Sequence, residues 1–419
     1  MSGRLGRVIR RQVPVASPLS PSKLALAAVE VLTTRDGAPE ALRAYLAARF
    51  RADTVLLTGS GTQALQLALA AAATRARRGT PVALPAYSCY DLVSAAVGAD
   101  VPVLFYDVDP VSLGPEPKSL ASALEGGART LVAASLYGFP LDWTVLRRTC
   151  RAAGAVLVED AAQGLGSGWA SEEGGSFGDL TVLSFGRGKG WTGGSGGALL
   201  MRGQAWAEPL DRSASAIEAV GEAPTLQGAT DLAASLAQWA LGRPALYRLP
   251  GFVPGLGLGE TRYKAPAAPV RMSGFAAAAA LRHADLALRS AARRAGIAET
   301  WRELGSTGAL PDEITPCRPL AEAVCGWLRY PLVAPDGPGA RQVARDGIDF
   351  GVARGYPIAL PDLPQAGPLL AGAPGAFPGA RRLAEALLTL PTHAAVTRTD
   401  FRGVTRVLGR ARAARAVAG

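Results

Sequence analysis

The strongest constraint on this chain is the alternation, through its first half, of short apolar runs with stretches long enough for a helix. Val55–Leu57, Val82–Leu84, Val103–Phe105, Leu131–Ser135, Val156–Glu159, Thr181–Ser184 and Ala198–Leu200 read as strands. Their nearly continuous apolar character predicts burial on both faces. Thr62–Arg78 and Leu141–Ala153 lie between such runs and read as helices. Strands separated by helices predict a mostly parallel sheet covered on both sides. A glycine-rich loop, not a helix, joins the last two runs, so direction can mix there.

The pattern changes after residue 205. Ser213–Gly251 reads as largely helical, and a Pro/Gly-rich stretch then runs to Pro269. A long alanine-rich helix, Ser273–Leu304, follows. Trp327–Leu332 reads as a strand, Pro338–Asp346 as a helix, Tyr356–Pro378 as a loop and Asp400–Ala416 as a closing helix. This predicts a smaller C-terminal α/β unit over 261–419, with the larger unit over 1–260. A length of 419 residues suits that division.

Composition excludes several classes. At 49% hydrophobic and 19% charged residues the chain is globular, not disordered. With only His283 and His393, a three-histidine zinc centre is excluded. Cys89, Cys150, Cys317 and Cys325 form no CxxC pair or disulfide framework, which fits a reducing cytosol. The N-terminal arginines precede Pro14, Pro18 and Pro21, not an apolar core, so no signal peptide is expected. No apolar run reaches spanning length, and a cytoplasmic protein is expected. Leu232–Leu258 is markedly hydrophobic but cut by Arg243 and Arg248. It could rest on a membrane surface or line a subunit interface, and packing against protein is the expected case.

The formal charge of +10 invites a nucleic-acid reading. The basic residues are scattered, however, with no basic block or aromatic interleaving, so no nucleic-acid partner is expected. Of 44 basic residues only Lys23, Lys118, Lys189 and Lys264 are lysine. That scarcity makes a lysine among glycines at a strand end conspicuous.

Three strand ends carry chemistry, where open α/β sheets gather their ligands. Thr58-Gly-Ser-Gly-Thr62 follows a strand and opens a helix. Its free N–H groups and hydroxyls suit a phosphate, though a capped helix start would use the same residues. Glu159-Asp160-Ala-Ala-Gln163 puts carboxylates at the end of a buried strand, which calls for a cationic or N–H partner. Asp160 could equally cap the next helix. Gly186–Gly197 presents Lys189 in a glycine-dense loop that fits neither a P-loop nor a dinucleotide fingerprint. A phosphate seat, a carboxylate for a ring nitrogen and a lysine amine are together what pyridoxal 5'-phosphate requires. The amine forms a Schiff base with its aldehyde, and the carboxylate keeps the pyridine nitrogen protonated.

Ser60-Gly61-Thr62, Leu136-Tyr137-Gly138, Val158-Glu159-Asp160-Ala161-Ala162-Gln163, Gly178-Asp179 and Ser184-Phe185 with Lys189 stand in this order. So arranged, they resemble the DegT/DnrJ/EryC1/StrS aminotransferases from about Gly37 to near the C-terminus. Arg271-Met272-Ser273, Gly347-Ile348, Tyr356-Pro357 and Leu388-Thr-Leu-Pro391 are later echoes. The resemblance implies a fold-type-I pyridoxal phosphate enzyme. Its large domain would be an α/β/α sandwich around a seven-stranded, mostly parallel sheet, with a smaller C-terminal α/β domain. Lys189 would be the Schiff-base lysine and proton shuttle, and Asp160 would pair with the pyridine nitrogen. Gln163 would lie near the ring 3-hydroxyl. Gly61, Thr62 and Ser184 would hold the phosphate. A homodimer with sites at the interface is also implied.

The implied reaction moves an amino group from an amino acid, glutamate, to a nucleotide-linked keto-sugar. Another pyridoxal phosphate reaction on a non-sugar substrate, or a cofactor-binding regulatory protein without turnover, are the alternatives. Four departures from the family pattern fall on the substrate side. Cys89 stands where an aromatic residue often covers the ring, so Cys89, Tyr87 or Tyr90 would do so here. Ser195 replaces a glutamate, Tyr263-Lys264 precede a stretch lacking an expected asparagine, and Leu360-Pro361 replace a histidine. His283 and His393 are expected to be structural, Asp107 and Asp109 to serve turns. Arg187 is expected to face solvent or a substrate anion in equal measure.

Overall fold

The computed structural model describes residues 10–34, 37–77, 79–203, 206, 225–248, 262–308, 310–311, 313–372 and 375–416. Its strands, in chain order, begin with β1 (Thr54–Thr58), β2 (Val82–Pro85), β3 (Val103–Tyr106), β4 (Thr130–Ala134) and β5 (Val156–Asp160). There follow β6 (Gly168–Trp169), β7 (Glu172–Glu173), β8 (Leu180–Ser184) and β9 (Gly197–Met201). The C-terminal part adds β10 (Thr315–Pro316), β11 (Ala323–Val324), β12 (Tyr330–Val333), β13 (Ala353–Arg354) and β14 (Leu387–Leu390).

The seven apolar runs of the first half form one seven-stranded sheet, ordered β1-β9-β8-β5-β4-β2-β3. The neighbours from β8 through β5, β4 and β2 to β3 pair in parallel. β9 runs antiparallel to β8 and to β1, the mixing that a glycine loop in place of a helix permits. β1 therefore ends at the same edge as the parallel strands. Side chains of β2, β4, β5, β8 and β9 are almost all buried, because helices cover both faces. Each fully buried Leu or Val there contributes about 1.5–3 kcal/mol relative to exposure.

The helix after β1 spans Gly61–Arg75 and is capped by Ser60, whose hydroxyl accepts from the Gln63 N–H at 3.2 Å. Another, Trp143–Ala153, is capped by Asp142 and ended by Gly154 in the left-handed region. The long alanine-rich helix spans Gly274–Ser306, and its apolar stripe includes Phe275, Ala280, Ala287 and Trp301.

Among the described residues two smaller sheets complete the fold. One has the order β10-β12-β14-β13, and the other joins β11 to β6 and β7. The C-terminal strand predicted at Trp327–Leu332 begins later, at Tyr330, because Trp327 adopts a left-handed φ of 47°. The closing helix spans Arg398–Ala416. Of the predicted Ser213–Gly251 helix, Thr225–Leu241 is helical, while 213–224 and 249–251 lie outside the described residues. The domain boundary at 260/261 also lies outside them, as do residues 249–258 of the Leu232–Leu258 stretch. Within that stretch Leu232 packs against the apolar cluster that includes Leu24, Ala27, Phe275 and Ala278. No described helix is long and apolar enough to cross a membrane.

Candidate active site

The carboxyl ends of β1, β4, β5 and β8 converge on a cleft of about 450 Å³. Gly61, Thr62, Cys89, Asp160, Gln163, Ser184 and Lys189, scattered over 129 positions in sequence, all line it. Ser88, Asp91, Ser135 and Leu136 join them.

The Gly61 end is built by close approach. A Cβ at Gly61 would stand 2.7 Å from the Ser184 Cβ and 2.9 Å from its Oγ, so the helix start can lie against Ser184 only as glycine. The first N–H groups of a helix have no intrahelical acceptor, and here they open beside two hydroxyls, those of Thr62 and Ser184. The Arg271-Met272-Ser273 motif backs this corner. Arg271 bridges to Thr58, Met272 lies against Gly196, and the Ser273 hydroxyl donates to Asp231 at 2.5 Å.

Asp160 ends β5. Its Oδ1 accepts the Ala162 N–H at 3.0 Å, and it has no ion-pair partner among the described residues. Burial pushes its carboxyl up, Lys189 and the Ala162 N–H pull it back, and Asp91 adds to the rise. An aspartate held this way gains from a cation in the cleft.

Glu159, its neighbour in sequence, does not open on the cleft. It is fully buried and accepts from the N–H groups of Gly175 at 2.7 Å and Phe177 at 2.8 Å, and from the Thr181 hydroxyl.

Gln163 is fixed from two sides. Its Oε1 accepts the Tyr137 N–H at 2.9 Å, and its Nε2 donates to the Tyr356 hydroxyl at 2.9 Å. Tyr137 presents that N–H from a left-handed backbone, φ 55° and ψ 17°, a conformation that costs a non-glycine residue about 1 kcal/mol or more.

Lys189 sits in a loop closed on itself. Gly193 N–H and the Thr192 hydroxyl both reach the Phe185 carbonyl at 3.0 Å, and Trp191 donates to Ala280 at 2.7 Å. Ser17 donates to the Lys189 carbonyl at 3.3 Å, so the main chain at Lys189 is tied from outside the loop. Arg187 is exposed on the same loop.

Cys89 lines the cleft, while Tyr87 and Tyr90 do not. Their hydroxyls accept instead from the N–H groups of Tyr356 at 2.9 Å and Ile358 at 3.0 Å. Burial, with Asp91 beside it, pushes the Cys89 thiol up to about 12 against the pull of Lys189. It stays neutral at physiological pH. Ser88 is 1% exposed, its Oγ has no hydrogen-bond partner among the described residues, and it borders the cleft. An orphaned hydroxyl, a carboxylate lacking a cation and a helix start beside two hydroxyls fit a ligand with polar substituents, a ring cation and a phosphate.

The other candidates have structural places. His283 is buried between the Ala279 carbonyl and the Ser20 N–H, and His393 contacts the Val13 carbonyl at 2.9 Å. Asp109 serves a turn to Ser112. Asp107 does more, accepting from Gly379 and Ala380 at the start of helix Pro378–Ala386. Ser195 is half-buried, Lys264 is exposed, and Tyr263 packs partly on the core. Leu360 is buried and donates its N–H to Ala86 at 2.8 Å. Sequence reasoning missed Ser88, Asp91 and the Tyr356 contact. Ser88 and Asp91 flank Cys89-Tyr90, already singled out, and Tyr356 belongs to a motif already quoted.

A sequence model of the DegT/DnrJ/EryC1/StrS aminotransferase family matches residues 32–408. Among curated proteins, L-glutamine:2-deoxy-scyllo-inosose aminotransferase of Streptomyces kanamyceticus is 33% identical over 141 residues. That match spans 34% of this chain and 33% of the relative. Among solved structures, the aminotransferase TlmJ from Streptoalloteichus hindustanus is 24% identical with a TM-score of 0.72, covering 97% of this chain and 98% of that one. A putative sugar aminotransferase, Spr1654 from Streptococcus pneumoniae, in its PLP form, is 17% identical with a TM-score of 0.71. It covers 96% of this chain and 99% of that one.

Proposed function

Because the chain belongs to the DegT/DnrJ/EryC1/StrS aminotransferase family, we propose that it moves an amino group from glutamate or glutamine to a keto group on a nucleotide-linked sugar. The family's cofactor is pyridoxal 5'-phosphate. The observation carrying the reading is the convergence of Lys189, Asp160, Gln163, Ser184 and the Gly61–Thr62 helix start on one cleft. When bound, the cofactor supplies an aldehyde that captures amines and a protonated ring that draws electron density from the substrate carbon.

In this reading the Gly61–Thr62 N–H groups, with the Thr62 and Ser184 hydroxyls, hold the phosphate. Asp160 would pair with the ring nitrogen and favour its protonated form. Gln163 donates to the ring hydroxyl oxygen. Cys89 covers the ring with a neutral thiol, a smaller and softer surface than an aromatic side chain. Lys189, which lines the cleft, would serve as the proton carrier at the donor's carbon, as general base and then general acid. The sheet β10-β12-β14-β13 supports a separate C-terminal unit. A homodimer in the cytoplasm completes the reading. Leu26, Val29 and Leu32 on helix Pro21–Thr33, all exposed, offer apolar surface to a second copy.

A second reading has an unlinked keto-cyclitol as acceptor and glutamine as donor. The curated relative's name favours it, as do the departures at Cys89, Ser195 and Leu360. One experiment tests both. The protein is charged with glutamate or glutamine, then mixed with nucleotide-linked keto-sugars and keto-cyclitols. Return of the aldehyde form with one class identifies the acceptor. If no amino donor gives its oxo acid, aminotransfer is wrong.

A further inference from the structure

We infer that Tyr356 is a positioning residue for the cofactor ring, acting through Gln163 and thereby tying the C-terminal sheet to the cleft. The inference rests on the functional reading above, which sets Gln163 beside the ring. An unrestrained glutamine amide can present either its oxygen or its nitrogen to a ligand. Here the choice is made by two neighbours. The Tyr137 N–H requires an acceptor and takes Oε1 at 2.9 Å, which turns Nε2 toward the Tyr356 hydroxyl, also at 2.9 Å. Nε2 carries two hydrogens. One goes to Tyr356, and the other is available to the cleft that Gln163 lines. A ligand oxygen in reach of that amide meets a donor whose direction is set before it arrives.

Tyr356 is itself held firmly. It stands two residues beyond the end of β13, and its main-chain N–H donates to the Tyr87 hydroxyl at 2.9 Å. Its ring lies 5.8 Å from that of Tyr87, 5.9 Å from Tyr90 and 6.5 Å from Tyr137, the last nearly parallel. A Cβ at Gly355 would run into the Tyr87 hydroxyl, so the chain can pass this close only as glycine. Burial keeps the Tyr356 phenol neutral far above physiological pH, so its hydroxyl is a constant hydrogen-bond partner. Three tyrosines from the large sheet's loops therefore clamp one tyrosine from the C-terminal sheet, and that tyrosine aims the amide.

The test uses the full-length protein with its cofactor. The cofactor dissociation constant and the pH midpoint of its visible band are measured for wild type, Tyr356→Phe, Gln163→Ala and the double variant, alongside melting temperatures. Loss of one neutral hydrogen bond should weaken cofactor binding about 2- to 10-fold in Tyr356→Phe. The midpoint should move in the same direction as in Gln163→Ala. Adding Tyr356→Phe to Gln163→Ala should change the affinity by less than about twofold, since the pathway is already cut. Gln163→Glu, which keeps the acceptor for Tyr137 and removes the donor to both Tyr356 and the cleft, should shift the midpoint with the Tyr356 side chain still in place. Wild-type affinity and midpoint in Tyr356→Phe, or losses that add in the double variant, would overturn the inference. If Gln163→Ala is silent as well, Gln163 does not serve the ring, and that part of the functional reading fails with it. A wild-type protein with no visible cofactor band instead points to failure of the reading as a whole.

Discussion

Glu159 and Asp160 are adjacent at the end of β5, yet Glu159 is sealed among the N–H groups of Gly175, Phe177 and Gly178 while Asp160 opens on the cleft. Strand geometry sends successive side chains to opposite faces, so one carboxylate is sealed into the fold and the next faces the cleft. Arg202 lies against the same pocket as Glu159, donating to the Gly178 carbonyl at 2.8 Å and to Thr181 at 2.9 Å.

The pair should therefore respond oppositely to substitution. Glu159→Ala strands three N–H donors and the Thr181 hydroxyl, and should cost about 3 kcal/mol or more of stability. Asp160→Asn should leave stability within about 1 kcal/mol while lowering kcat/KM about 100-fold or more. Urea unfolding and steady-state kinetics on both variants separate the roles. A stable Glu159→Ala protein, or an active Asp160→Asn enzyme, contradicts the assignment.

Gly61→Ala forces a methyl group against Ser184, whose Cα, Cβ and Oγ all lie within 3.3 Å of the added atom. The helix start must shift, at about 1–3 kcal/mol. Cofactor affinity should drop more than stability does if the displaced residues, which line the cleft, form the proposed phosphate seat. Equilibrium dialysis with the cofactor reads this, and wild-type affinity in the variant would count against a phosphate seat here.

Stability should also fall in mild acid through His393. Burial lowers its pKa to about 4, outweighing the Val13 carbonyl, which favours the charged ring. A histidine depressed in the folded state leaves stability complete above its unfolded pKa of about 6.5 and erodes it as pH falls toward 4. Between pH 7 and pH 5 the loss is about 2 kcal/mol from this group. His393→Gln keeps a donor for Val13 and cannot titrate, so its urea midpoint should depend less on pH over that range. Equal pH dependence in both proteins rules His393 out as the cause.

The sheet was legible because its strands are apolar runs, most of them set apart by helices, and burial on both faces leaves that trace. The short strands β6, β7, β10, β11 and β13 left none, since two residues are too few for a period. Of the cleft, the parts written as local motifs could be read: Ser60-Gly61-Thr62, Asp160 to Gln163, and Lys189 among glycines. Which of Cys89, Tyr87 and Tyr90 lines the cleft could not, because Tyr356 and Ile358, some 270 residues away, engage both tyrosine hydroxyls. Asp91 was hidden for a related reason. A carboxylate in the first turn of a helix already has a local explanation, and only the fold shows that this one also faces Cys89 and the cleft.

The central claim is that Lys189 is the amine and proton carrier of an aminotransferase. Lys189→Ala, purified with pyridoxal 5'-phosphate and given glutamate or glutamine, tests it in one absorption experiment. The variant should fold and bind the cofactor but lack the visible band of a lysine-attached cofactor and form no oxo acid. A variant that keeps that band and still produces the oxo acid would contradict it.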